Sequence, residues 1–186
     1  MIAGPIVAVI VVVVVIVLLT RDGSDTTEVS TSATTTIPGA TTTAVAAEGS
    51  VAGKDCVAMA DPPPGGAPTV PVKVGPPPTE LVKEDLKVGD GATVAKDSTV
   101  TVNYIGVSCS TGKVFDSSYK TGQPATFPLN GVIPGWQNGI PEMKVGGQRL
   151  LGIPAAEAYG AKGYPPDIAP DEPLWFVVEV LDAKPA

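Results

Sequence analysis

The order of apolar and polar positions divides the chain into unlike stretches. In residues 99–105, Thr-Val-Thr-Val-Asn-Tyr-Ile, the even positions are apolar and the odd ones mostly polar. That is the period of two expected of a half-buried strand. Residues 174–181 read the same way, with Leu174, Phe176, Val178 and Val180 on one face, and residues 149–153 read as a third strand. Shorter extended pieces are predicted at 80–86, 114–117 and 125–129. Helical spacing occurs only at 134–143, where Pro134 suits a first turn and Trp136, Ile140 and Met143 share a face. Pro141 costs that helix a hydrogen bond unless the helix is already ending there. All nine aromatic residues lie after Asn103, so the core belongs to this part of the chain. The pattern predicts an α+β domain over 79–186: a largely antiparallel sheet with one short helix.

Upstream the periodicity disappears. Residues 2–19 carry no charge and are apolar apart from Gly4 and Pro5; as a helix they would span about 27 Å, roughly one bilayer core. A transmembrane signal anchor over 1–20 is the expectation. A cleaved signal peptide is the competing reading, but the run is long, no basic segment precedes it, and the small-residue site at Ala44-Val45-Ala46-Ala47 lies far downstream. Arg21, directly after the run, weighs slightly against an outward-facing domain. Between 20 and 50, 14 of 31 residues are Ser or Thr and none is aromatic, so 21–53 is expected to be a disordered linker, either an O-glycosylated stalk or a bare tether. Eight prolines in residues 62–78 favour polyproline II. The 54–78 extension is accordingly expected to be a stiff approach packing loosely on the domain.

Composition narrows the chemistry. With no His and two Cys, the chain lacks the means for a His-ligated metal, a four-ligand zinc site or an imidazole-activated nucleophile. A net charge of −7 with no basic run argues against nucleic acid as a partner. Cys56 and Cys109 suggest one disulfide tying the extension to the domain in an exported protein, with separate thiols or an intermolecular pair as the alternatives. Their spacing is not that of a catalytic dithiol. What remains is a concentration of aromatic and branched residues punctuated by Gly and Pro, suited to binding an apolar group.

Four ordered motifs sharpen this: Val114-Phe115-Asp116-Ser117-Ser118, Val132-Ile133-Pro134-Gly135-Trp136, Met143-Lys144-Val145-Gly146-Gly147 and Ala158-Tyr159-Gly160. Together they make the chain similar to the FK506-binding-protein family of peptidyl-prolyl cis-trans isomerases across roughly residues 79–182. The resemblance implies an antiparallel sheet of about five strands wrapped around one short helix, with the pocket between them. It implies catalytic positions at Tyr104, Phe115, Asp116, Ile133, Trp136, Tyr159 and Phe176, and substrate-binding positions at Val132, Tyr164 and Ile168. Trp136 would form the floor, while the Ile133 N–H and the Tyr159 hydroxyl would hold ligand carbonyls. Read without the resemblance, Phe176 and Trp136 could be plain core, Asp116 a cap of the Ser117-Ser118 turn, and the tyrosines ordinary rim residues.

The chain departs from the family where Ala125 replaces an aromatic, where Tyr119-Lys120-Thr121 replaces a basic partner for Asp116, and where Tyr164 replaces a frequent His. An altered peptide preference with the fold retained follows. The resemblance implies an isomerase of proline-containing polypeptides that needs no cofactor, inhibited by macrocycles such as FK506 or rapamycin and working as a monomeric domain. With the apolar run it implies a single-pass membrane protein whose domain lies outside the cytoplasm and assists folding of exported proteins. A non-catalytic proline-peptide-binding chaperone or adaptor is the rival, and a surface protein whose stalk is the point is a third reading.

Overall fold

The structure, a computed structural model, describes residues 49–185. The expected membrane segment and most of the Ser/Thr-rich linker lie outside that range; among the described residues no helix is long and apolar enough to cross a membrane. Six strands form one antiparallel sheet: β1 (Val82–Lys87), β2 (Thr99–Ser108), β3 (Val114–Ser117), β4 (Ala125–Pro128), β5 (Gln148–Ile153) and β6 (Leu174–Lys184). The order is β1-β5-β6-β2-β3, and β4 also pairs with β2. β3 takes positions 105–107 of that edge and β4 takes 99–102.

The alternation read from the sequence decides what each sheet face buries. Val100 and Val102 of β2, Leu151 and Ile153 of β5, and Phe176, Val178 and Val180 of β6 form one core with the short helix. That helix, α1 (Pro134–Gly139), is shorter than the spacing predicts. Pro141 lies beyond its end, so the missing N–H costs no helical bond. Trp136, Ile140 and Met143 are nevertheless all buried in this core. Close approach is possible because Gly135 lacks a side chain: a Cβ there would lie 2.4 Å from Ile153 Cγ2. Arg149 fastens the far end of α1, donating to the carbonyls of Gly139 (2.7 Å) and Pro141 (3.3 Å) while its Nε pairs with Asp85 of β1 at 2.6 Å. The Gly139 carbonyl is one of those a helix end leaves without an internal partner.

The other face carries a second core, and here the expectation of loose packing is corrected. Ile105, Val107, Leu150, Trp175 and Val177 face away from α1 and are covered by Cys56, Ala67 and Val70 of the extension. Val70 is 2% exposed, and its N–H donates to Met59 Sδ at 3.4 Å. Cys56 and Cys109 are disulfide-bonded, and the Trp175 indole N–H donates to Cys56 Sγ at 3.3 Å. Val57 and Ala60 donate backbone bonds to Cys109 and Gly112, and Asp61 accepts the N–H of Val114 at 2.9 Å. Proline keeps the segment extended and still leaves isolated apolar side chains free to bury, which is why it can seal a sheet without forming a strand or an α-helix.

Candidate active site

Between α1 and the sheet a cleft of about 510 Å³ opens to solvent. Its floor is Trp136, which meets Tyr104, Phe127 and Phe176 edge to face at centroid separations of 5.3, 5.8 and 5.4 Å. Phe115 meets Phe176 in the same way at 5.5 Å. Such edge-to-face contacts suit the ring quadrupoles and hold each ring's orientation. Gly106 makes room for this wall: a Cβ there would stand 2.6 Å from Phe115 Cζ and 2.7 Å from Phe176 Cε1.

The Asp-Ser-Ser segment positions Tyr104 and Asp116 together. Ser117 Oγ donates to the Tyr104 carbonyl at 3.0 Å and the Tyr104 N–H donates to Ser118 Oγ at 3.0 Å. Two hydroxyls thus satisfy the β2 backbone in the gap between β3 and β4, a demand that buried peptide groups always make. The Tyr104 hydroxyl donates to Asp116 Oδ2 at 2.5 Å, and Asp116 Oδ1 accepts the Ser117 N–H at 2.8 Å. The turn that follows is capped by Ser117, whose Oγ accepts the Tyr119 N–H at 3.2 Å, so the reading of Asp116 as its cap is corrected and Asp116 stands as a rim residue of the cleft. Lys120 does not pair with it; its ammonium donates to the Phe115 carbonyl at 3.1 Å.

Burial, then the hydrogen bond and negative charge of Asp116, push the Tyr104 phenol well above its ordinary value. Burial and then the charge of Asp116 raise Tyr159 as well. Both phenols, like an ordinary tyrosine, are protonated at neutral pH and can donate. Among the described residues the Tyr159 hydroxyl has no hydrogen-bond partner, and neither the Ile133 N–H nor the buried Trp136 Nε1–H finds an acceptor. The Ile133 N–H is held in place from behind. Gln137 Nε2 donates to the Val132 carbonyl at 2.7 Å, and that carbonyl belongs to the same planar peptide unit, whose N–H points the opposite way.

The structure brings seven expected catalytic positions, Tyr104, Phe115, Asp116, Ile133, Trp136, Tyr159 and Phe176, to one cleft along with Val132. Two expected contacts are corrected. Tyr164 is 61% exposed and leans against Tyr159 at 5.5 Å outside the lining. Ile168 is buried in the core behind the cleft and faces a neighbouring groove. Phe127 and Gly131 line the cleft without having been expected to. Ala125 shares the half-buried face of β4 with Phe127 but does not reach the lining. The period of two in β4 was the available signal for Phe127.

A family model described as FKBP-type peptidyl-prolyl cis-trans isomerase matches residues 91–181. A probable FK506-binding protein of Corynebacterium glutamicum is 46% identical over 116 residues, covering 62% of this chain and 98% of that protein. FkpA of Escherichia coli, an FKBP-type peptidyl-prolyl cis-trans isomerase, is 46% identical over 108 residues, 58% of this chain but only 39% of FkpA. The FkpA crystal structure superposes with a TM-score of 0.55, covering 58% of this chain and 50% of the FkpA chain. That of AtFKBP13, at 36% identity, gives 0.53 and covers 58% of this chain and 96% of the other. With an antiparallel sheet, a short helix and an aromatic cleft between them, this chain belongs to the family of FKBP-type peptidyl-prolyl cis-trans isomerases.

Proposed function

We propose that the protein accelerates X-Pro isomerisation in exported polypeptides, with Trp136 as the floor on which the proline ring rests. The observation that carries this is a water-accessible aromatic cleft with unused donors on its rim, the Ile133 N–H and the Tyr159 hydroxyl. Rotation about an X-Pro bond faces a barrier of about 20 kcal/mol because the twisted amide loses resonance. The twisted amide has less charge separation than the planar one, so an apolar wall of Phe115, Trp136 and Phe176 favours it relative to water. The two donors hold flanking carbonyls while the bond turns, and Asp116 orients Tyr104. A ten-thousand-fold acceleration needs only about 5.4 kcal/mol of such differential binding, without covalent chemistry.

The setting belongs to the same proposal. The uncharged run at 2–19 serves as a single-pass anchor, the Ser/Thr-rich residues as a tether, and the domain works as a monomer outside the cytoplasm. The Cys56–Cys109 disulfide supports an oxidising compartment. FK506 or rapamycin is expected to occupy the cleft. A second reading, a binding module without turnover, is favoured by one observation: among the described residues Asp116 has no cationic partner, since Lys120 turns to the Phe115 carbonyl. Proline-limited refolding of a secreted protein separates the two. Acceleration by the full chain, suppressed by FK506 and lost in Trp136→Ala, supports the isomerase; FK506 binding without acceleration supports the binding module.

A further inference from the structure

Beside the prolyl cleft lies a second groove of about 570 Å³. One wall is Val51 and Lys54, at the start of the disulfide-tied extension and outside the family match at 91–181. The opposite walls are the β2–β3 turn, including Lys113 and Val114, and the loop carrying Pro166, Ile168 and Ala169. Val51 is fixed there by its N–H bond to the Pro170 carbonyl at 3.0 Å. Phe115 lines this groove as well as the prolyl cleft, so the two border on one residue.

The lining chemistry restricts the occupant. The backbone around the turn is already used: Val114 N–H binds Asp61, Ser108 N–H binds the Lys113 carbonyl, and Cys109 N–H binds the Pro173 carbonyl. A guest strand would find few main-chain partners, so the groove favours a side chain, and its Val, Phe, Ile and Pro surfaces favour an apolar one. Glu172, 2% exposed, is held by the N–H and hydroxyl of Ser110 at 2.8 and 2.7 Å. Lys54 and Lys113 have no ion-pair partner among the described residues, and of the lining acids Asp167 alone stands opposite them exposed. On a chain of net charge −7, two such lysines bordering an apolar groove favour an acidic neighbour on the ligand.

We infer that this groove is a flanking subsite that binds, in the same polypeptide whose proline enters the cleft, an apolar side chain next to an acidic residue a few positions away. The inference rests on the prolyl-isomerase reading for the position of the proline, while the groove itself is formed by the domain and closed on one side by Val51 and Lys54. It makes the extension a specificity element as well as a seal.

The test uses the full chain and five peptides: a short Ala-Leu-Pro-Phe peptide, and the same core extended by Leu-Glu or by Ser-Ser on its N-terminal or on its C-terminal side. Affinity is read by calorimetry and turnover by NMR exchange. In one of the two orientations the Leu-Glu flank is expected to bind about tenfold tighter than Ser-Ser, the effect of largely burying one leucine side chain. Ala169→Phe, which fills the groove, and Lys54→Glu/Lys113→Glu, which reverses its charge at exposed positions, are each expected to remove most of that gain. Both should leave the short peptide's turnover unchanged. No advantage in either orientation, or an advantage that survives both variants, overturns the inference. Dimerisation that Ala169→Phe abolishes also overturns it, by giving the groove to a second copy of the chain. A flank effect on affinity without turnover of the short peptide leaves the subsite standing and defeats the isomerase reading instead.

Discussion

The two faces of one sheet have been finished differently. The face carrying Ile105, Val107, Trp175 and Val177 is sealed by a proline-rich segment, and the Trp175 indole N–H has found a partner in Cys56. The face carrying Tyr104 and Phe176 is covered only in part, because α1 runs for just six residues. Trp136 of α1, packed against that face, has no partner for its indole N–H among the described residues. Both faces bury a core, and the cleft belongs to the one left partly open. An unpaired buried donor costs free energy that the closed face helps to offset.

Breaking each face in turn should separate the two functions. Replacing Cys56 and Cys109 together by Ala removes a cross-link between residues 53 positions apart, worth on the order of 4 kcal/mol in the chain-entropy model. Chemical denaturation should show that loss, while short-peptide turnover of the folded fraction stays near wild type. Gly106→Ala should affect turnover as well as stability. Its Cβ would press on Phe115 and Phe176, costing about 2 kcal/mol of stability but lowering turnover by roughly tenfold as the cleft wall shifts. If Gly106→Ala lost stability alone, the rings it displaces would not belong to the working site.

Much of this division was legible in the sequence, and its limits have physical causes. The strands at 99–105, 114–117, 149–153 and 174–181 fall on β2, β3, β5 and β6, the first because its period-two alternation is kept in the fold and the last two because short apolar runs mark strands buried on both faces. The sealed face was harder to see. Met59, Ala67 and Val70 are isolated apolar residues among prolines and have no period to read. The usable sign lay opposite them, in the unbroken apolar run from Leu174 to Val178, which marks a strand buried on both sides. In the cleft, the resemblance supplied Trp136, Asp116 and Tyr159, but it also supplied Tyr164 and Ile168, which the local path of the loop places elsewhere. Ser117, Ser118 and Gln137 act by hydrogen-bonding backbone that only the folded chain brings near.

Smaller effects sharpen the comparison. The Arg149 guanidinium, chiefly through its hydrogen bonds, holds the Asp85 carboxyl below its ordinary value of 3.8. A carboxylate whose value is lowered on folding stabilises the fold above its unfolded value, and that contribution is lost as pH falls through the folded value. Asp85→Asn should therefore destabilise the protein near neutral pH, with the difference from wild type shrinking below about pH 4. An undiminished gap at pH 2 would mean that the carboxylate charge is not what Arg149 uses. Gln137→Glu, nearly isosteric but unable when ionised to donate to the Val132 carbonyl, is expected to lower kcat/KM by about threefold to tenfold, with stability changed by less than about 1 kcal/mol. The Ile133 amide resonance should move in the same variant. A shifted resonance with unchanged kinetics would remove Ile133 from the set of working donors.

The most direct measurement is cis–trans exchange of a short Leu-Pro peptide, followed by NMR with the full chain and with or without FK506. Exchange accelerated in proportion to protein concentration, and returned to the uncatalysed rate by a stoichiometric amount of FK506, is the expected result. Uncatalysed exchange in the presence of protein whose spectrum shows a folded Trp136 indole would contradict it, leaving the open face a place where proline is held and not turned.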